Sequence, residues 1–230
     1  GGGGGGGAAG GGGPPPPPPL EAREPQAREA AGDGAEAVLG VLLGGMVDEP
    51  VAQLEVTLSG EASERDMRSI SVESLVGLLS TKLSGPVNRV NAISIALQHG
   101  TKLVESSRAD HPDYHATVAL CARHGGKSTM VEGALFAHKH PRLVRINDYV
   151  IEAVLEGHLL LTRHKDQPGV VAAVSSILAK RNINISSMQV GNVDGEDAVA
   201  ILGISTPLDD AAMQELRKVE AINSLTQVSL

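Results

Sequence analysis

Cysteine is almost missing from this chain: Cys121 stands alone. One thiol allows no intrachain disulfide and no thiolate metal cluster within a single chain. Aromatics are nearly as scarce, with no Trp, one Phe (Phe136) and two Tyr (Tyr114 and Tyr149). Val, Ile, Leu and Ala must therefore fill the interior. No apolar run approaches the roughly 20 residues that a membrane-spanning helix needs. No basic-then-apolar stretch opens the chain as a signal peptide would. A basic excess is missing too. Lys and Arg number 19 against 27 Asp and Glu, a formal charge of −8, so the electrostatic footprint of a nucleic-acid binder is absent. The balance suits a cytoplasmic protein that handles small polar molecules.

What is present is unevenly spread. The first 19 residues are poly-Gly, interrupted by two Ala, and then poly-Pro. The stretch that follows, LEAREPQAREAAGDGAEA, is charged and Ala-rich without an apolar face. Such segments cannot bury enough apolar surface to offset the entropy lost on ordering. Residues 1–36 are expected to be a disordered, low-complexity leader. Gly1 in place of Met is what a fragment or a processed chain would show.

Residues 37–155 read as a first domain of mixed α/β character. VLGVLLGG is expected to end a helix at Gly44 and Gly45. VAQLEVTLSG alternates, with Leu54, Val56 and Leu58 on one face, as a strand does. Val72, Leu75, Val76 and Leu79 fall at helical spacing within Ser71–Leu83. GPVNRVNAISIALQHG is expected to be a second helix, with Pro86 near its start and Gly100 past its end. Strand-like runs follow in TKLVES, YHATVALCAR, KSTMVEGALFA and RLVRINDYVIEAV. Cys121 lies in one of them and reads as inert core.

Residues 156–230 repeat a strand–helix–strand–strand–helix–strand order. HLLLTRH is a strand; Pro168-Gly169 opens a helix bearing Val170, Val171, Val174, Ile177 and Leu178 on one side. NINISSMQVGN and DAVAILGIST are strands joined at an Asp194-Gly195 turn. Asp209 or Asp210 caps a second helix, and INSLTQVSL closes the set. This is the ferredoxin-like βαββαβ arrangement, and the fold class of the whole chain is α+β.

The most informative local feature is RHKDQPGV, Arg163 to Val170. Free N–H groups and the positive end of a helix dipole face this loop, which would hold a carboxylate. Gly169 allows close approach of the backbone. Asp166 could balance an ammonium group, and Asn184, at the start of the next strand, could donate and accept hydrogen bonds. Together these groups suggest an amino-acid pocket. In the first domain, Arg142 and Arg145 could grip a phosphate; a solvated basic rim is the alternative. His138 and His140 form an H-x-H pair with no third ligand in view, so no metal site is expected.

At these residues the chain resembles the ACT domain family. More narrowly, EGHLLLTRHKDQPGV, NINISSMQVG, RLVRIN, VNRVNA and LEVTLSGE resemble the C-terminal part of the D-3-phosphoglycerate dehydrogenase family. The upstream segment is similar to that family's intervening, or allosteric-substrate-binding, domain. The resemblance implies ACT domains paired edge to edge, with L-serine or a related amino acid bound at the shared interface as feedback inhibitor. Carried over by position, it implies His164, Asp166 and Asn184 as effector contacts. It also implies NAD-dependent oxidation of 3-phosphoglycerate by the complete enzyme. The Rossmann fingerprint and catalytic residues for that step are not found in this chain. The only G-x-G-x-x-G match lies in the poly-Gly leader with no strand before it. The chain alone is therefore expected to hold no cofactor and no catalytic residues. A free-standing amino-acid sensor, or the regulatory half of another enzyme such as an iron–sulfur serine dehydratase, are the alternatives; the lone cysteine speaks against a cluster.

Overall fold

The computed structural model describes residues 1–2, 34–136, 140–192 and 197–230. The expected leader, apart from its ends, lies outside the described residues. So do His138 and the Asp194-Gly195 turn.

The first helix, α1 (Ala35–Met46), begins two residues inside the segment expected to be leader. It is apolar on almost every side and accordingly buried at Ala37 and from Leu39 through Gly44. Gly44 and Gly45 do not stop it, contrary to expectation. They lie inside the helix, and glycine is needed at both because neighbours come too close for side chains. A Cβ on Gly45 would sit 2.6 Å from Val228. The second helix, α2 (Met67–Ser80), starts at Asp66, whose carboxylate accepts from the Arg68 amide at 3.1 Å. It packs along α1.

The expected helix over residues 85–100 is shorter, spanning only Ala92–Gln98 (α3). The preceding residues form a tight polar loop instead. Asn88 Oδ1 accepts from the Val90 and Asn91 amides, and Asn91 Oδ1 accepts from the Asn88 amide. Asn side chains that satisfy local amides compete with helix in this way.

The strands form two sheets. The first holds β1 (Val51–Gly60), β2 (Lys102–Arg108), β3 (Ala116–His124), β4 (Lys127–Phe136), β5 (His140–Ile146) and β6 (Tyr149–Val154), in the order β2-β1-β3-β4-β5-β6. Only β1 and β2 run parallel. The run RLVRINDYVIEAV is two strands, not one, because Asn147 turns the chain at φ 49°. The second sheet holds β7 (His158–Lys165), β8 (Ile185–Asn192), β9 (Asp197–Ile204) and β10 (Ile222–Ser229), in the order β10-β7-β9-β8. With α4 (Val170–Lys180) and α5 (Asp210–Arg217) between its strands, it is the ferredoxin-like arrangement. Asp209 caps α5, accepting from the Ala212 amide at 2.7 Å.

One face of the second sheet packs on α4 and α5 through Leu160, Leu178, Leu202 and Leu216. Its other face is mostly covered as well. Leu159, Leu161, Val199, Ile201 and Val228 join the same core as Leu42, Leu54, Leu75 and Leu120 from the first sheet and its helices. Each fully buried Leu contributes about 1.5–3 kcal/mol.

Candidate functional site

The loop after β7 is built as its sequence suggests, with one difference of cause. Gly169 is the N-cap of α4 at φ 95°. A Cβ there would meet nothing within 4 Å, so the left-handed backbone, not close approach, demands glycine. No side chain caps the helix, so the first-turn amides face the loop.

Asp166 is exposed at this end of the sheet and accepts from Asn192 Nδ2 at 3.3 Å. His164 is buried, 4% exposed, and its Nδ1 lies 3.1 Å from Thr162 Oγ1. Burial lowers the His164 pKa below 6.5, and the nearby Asp166 and Asp197 only partly oppose this. Because the folded state disfavours the proton that the unfolded state accepts, stability is greatest above about pH 6.5. It should fall as pH drops through the window below that value and level off once the folded His164 also titrates. Urea unfolding from pH 8 to 5 measures this slope. His164→Gln should flatten it; an unchanged slope would rule His164 out as its source.

Asn184 is placed elsewhere. It precedes β8, and its amide donates to Ser205 Oγ at 3.0 Å. Ser205 follows Ile204, which pairs with His158, whereas Asn192 pairs through Ala198 to His164. Asn184 therefore stands at the opposite end of the sheet from Asp166 and His164. Within one chain the residue that meets Asp166 is Asn192, which the sequence reading missed. Its signal was its place just before the Asp194-Gly195 turn.

On the first sheet, Arg142 and Arg145 share a face although they are three residues apart. Arg142 pairs with Ala134 and Arg145 with Glu132, because a bulge at Val144 absorbs one residue. This face carries a second network that the sequence reading missed. Glu132 is buried, with Arg145 Nε at 3.3 Å from Oε2 and His111 Nε2 at 3.1 Å from Oε1. His111 Nδ1 accepts from the amides of Asp113 and Tyr114 at 3.1 and 3.2 Å. Those two donors fix the tautomer: Nε2 carries the proton and donates a hydrogen bond to the Glu132 carboxylate. Burial, with Glu152, Asp113 and Glu132 nearby, raises the Tyr114 pKa. A cavity of about 400 Å³ beside the network is lined by Thr57, Arg108, Cys121 and Glu132, among others. Burial pushes the Cys121 thiol up. The sequence signal was Glu132 itself, the only charged residue between Thr129 and Phe136.

Among the described residues no three His, Cys, Asp or Glu side chains gather to hold a metal. No described helix is long and apolar enough to cross a membrane.

Comparison with known proteins adds to this geometry. The D-3-phosphoglycerate dehydrogenase intervening-domain family matches residues 35–147, and the ACT domain family matches residues 158–221. D-3-phosphoglycerate dehydrogenase of Synechocystis sp. is 31% identical over 194 residues, covering 84% of this chain and 35% of that protein. Its counterpart in Bacillus subtilis is 29% identical over 194 residues, covering 84% and 37%. That of Archaeoglobus fulgidus is 27% identical over 196 residues, covering 84% and 36%. The chain thus spans little more than a third of the length of these relatives.

Proposed function

The chain carries the intervening and ACT domains of the C-terminal region of D-3-phosphoglycerate dehydrogenases, and from that premise we propose that it is a feedback-control region that binds L-serine, or a related small amino acid, between two ACT domains. One observation carries this reading. β8 is an edge strand, paired only with β9; Asn184 stands at one end of it, and Asn192, with Asp166, at the other. Antiparallel pairing of β8 with its copy, about an axis near Met188, would bring Asn184 of the partner subunit to the Asp166 end. Two-fold symmetry makes two such pockets per dimer. In each, the α4 amides suit a carboxylate and Asp166 suits an ammonium group.

Oxidation of 3-phosphoglycerate with NAD would belong to the part of the longer relatives that this chain does not match. The described residues do not fit a dinucleotide. The first sheet has one parallel pair, and the turn after β1, Ser59-Gly60-Glu61-Ala62-Ser63-Glu64, is acidic where a pyrophosphate would need glycine amides. Serine would therefore act on catalysis only by favouring one arrangement of subunits over another.

Calorimetric titration of the whole chain with L-serine tests the proposal. Asp166→Ala and Asn184→Ala should each weaken binding about tenfold or more, as expected for loss of one charge-assisted or buried hydrogen bond. Mixing the two variants is the sharper trial. A heterodimer would hold one pocket with both substitutions and one with neither, so with random pairing about a quarter of all sites in an equimolar mixture should recover parental affinity. A mixture no better than either variant would show that the pocket does not lie across the dimer.

A further inference from the structure

Alternation along the strands gives the second sheet two faces, and at the Asp166 end they have different neighbours. One cross-strand row, Asn192–Ala198–His164, points to the helices. The next, Gly191–Val199–Arg163–Ser224, points to the first domain. Each residue of the second row is thus bonded to, or one rung from, a residue at the effector end.

That second row rests on the β5–β6 hairpin. A Cβ on Gly191 would lie 2.5 Å from the Val150 carbonyl oxygen, so backbone meets backbone there. Arg163 is paired with Asp197 at 2.8 Å and interacts with the Tyr149 side chain. Asp197 is steadied in turn by Asn223 Nδ2 at 2.9 Å. The hairpin is stiff, since Asn147 and Met130 exchange hydrogen bonds of 2.8 and 2.9 Å. Beside these contacts a cavity of about 580 Å³, lined by Met130, Asp148, Tyr149, Arg163 and Ser224, separates hairpin from sheet. Apart from this cavity the hairpin is packed on the sheet, with Ile151 and Ala153 of β6 buried in the same core as Leu159, Leu161 and Val199, so a displacement of the sheet reaches it directly.

We infer that the β5–β6 hairpin senses the state of the effector end, with Arg163, Tyr149 and Gly191 as positioning residues. Planar peptides and close packing leave the ends of β7 and β8 little freedom to move one row without the other. A displacement at Asp166–Asn192 is passed through the sheet to Tyr149 and Val150, and so into the intervening domain. The inference deepens the effector reading above, but its test needs no ligand.

The test is amide hydrogen exchange on the whole chain. Asp166→Ala and Asn192→Ala should speed exchange of residues 149–151 by about tenfold, while Ser205→Ala, at the far end of the same sheet, should change it by less than about twofold. Adding Tyr149→Phe should abolish the hairpin response and leave that of β8 intact. Unaltered hairpin exchange in variants whose β8 does respond would overturn the inference, as would an equal response to Ser205→Ala. L-serine titration of the same samples judges the effector reading separately: a responding hairpin without serine binding would sink that reading alone.

Discussion

Gly77→Ala should destabilise the chain by about 2–3 kcal/mol and Gly77→Val by more, even though both residues suit a helix better than glycine does. The reason lies where α1 crosses α2. A Cβ on Gly77 would collide with the Ala37 carbonyl oxygen and stand 2.9 Å from the Val41 nitrogen. A Cβ on Gly40, facing it, would collide with the Ser74 carbonyl oxygen. These obstacles are helix backbone, so no rotamer change relieves them and the two axes must part. Parting them opens the core around Leu42, Leu43, Leu75 and Leu78, all less than 2% exposed. Helix propensity returns at most about 1 kcal/mol. Gly85→Ala is the control, since a Cβ there meets nothing; it should stay within about 0.5 kcal/mol. Urea unfolding compares the three. Equal midpoints for Gly77→Ala and Gly85→Ala would show that α1 and α2 are not packed this closely in solution.

The second large effect is expected from Glu132→Ala. Only 6% exposed, Glu132 ties β5 through Arg145 and the loop after β2 through His111. Removing one member of a buried ion pair commonly costs 3–5 kcal/mol, because the partner is left unpaired. The Arg145 side chain keeps 31% exposure, so water recovers part of that, and about 2–3 kcal/mol is the expected loss. Glu132→Gln, which keeps the shape and an acceptor, should cost about half as much. The same variants choose between the two readings of Arg142 and Arg145, a phosphate grip and a solvated basic rim. With Glu132 present, the Arg145 charge is already met, and inorganic phosphate should bind the parent weakly or not at all. Glu132→Ala should improve phosphate binding at that face. Tight phosphate binding to the parent, lost in Arg145→Ala, would instead make this face an anion site despite Glu132.

Much of the fold could be read from one-dimensional pattern because the core is aliphatic and periodic. Leu54, Val56 and Leu58 announce a strand, and Val170, Val174, Ile177 and Leu178 a helix, with no need of distant partners. The errors lie where local chemistry has two outcomes. Gly44 and Gly45 look like a helix stop, yet their value is the space they leave for Val228 and α2. Asn88 and Asn91 look tolerable in a helix, but bond each other's backbone first. The effector loop was legible because Pro168-Gly169 marks a strand-to-helix turn whatever surrounds it. The place of Asn184 follows from the βαββαβ arrangement, which the pocket drawn from the sequence did not apply: β7 and β8 both run antiparallel to β9, so the start of β8 stands at the end away from Asp166. The Glu132 network was hidden for another reason: His111, Glu132 and Arg145 meet only after a loop, two strands and a bulge are in place.

The aliphatic face that the second sheet turns toward α1 has a bearing on how such a chain can be divided. Leu159, Leu161, Val199, Ile201 and Val228 are buried only because the other half is present. Cut at the junction near Glu156, each piece would show an oily patch of the sort that draws unfolded neighbours together. A ferredoxin-like unit usually counts as a portable module; this one has given up part of its portability. Heat should therefore melt both halves in one step, and a shuffled version of either would need new polar residues on that face before it could stand in water by itself.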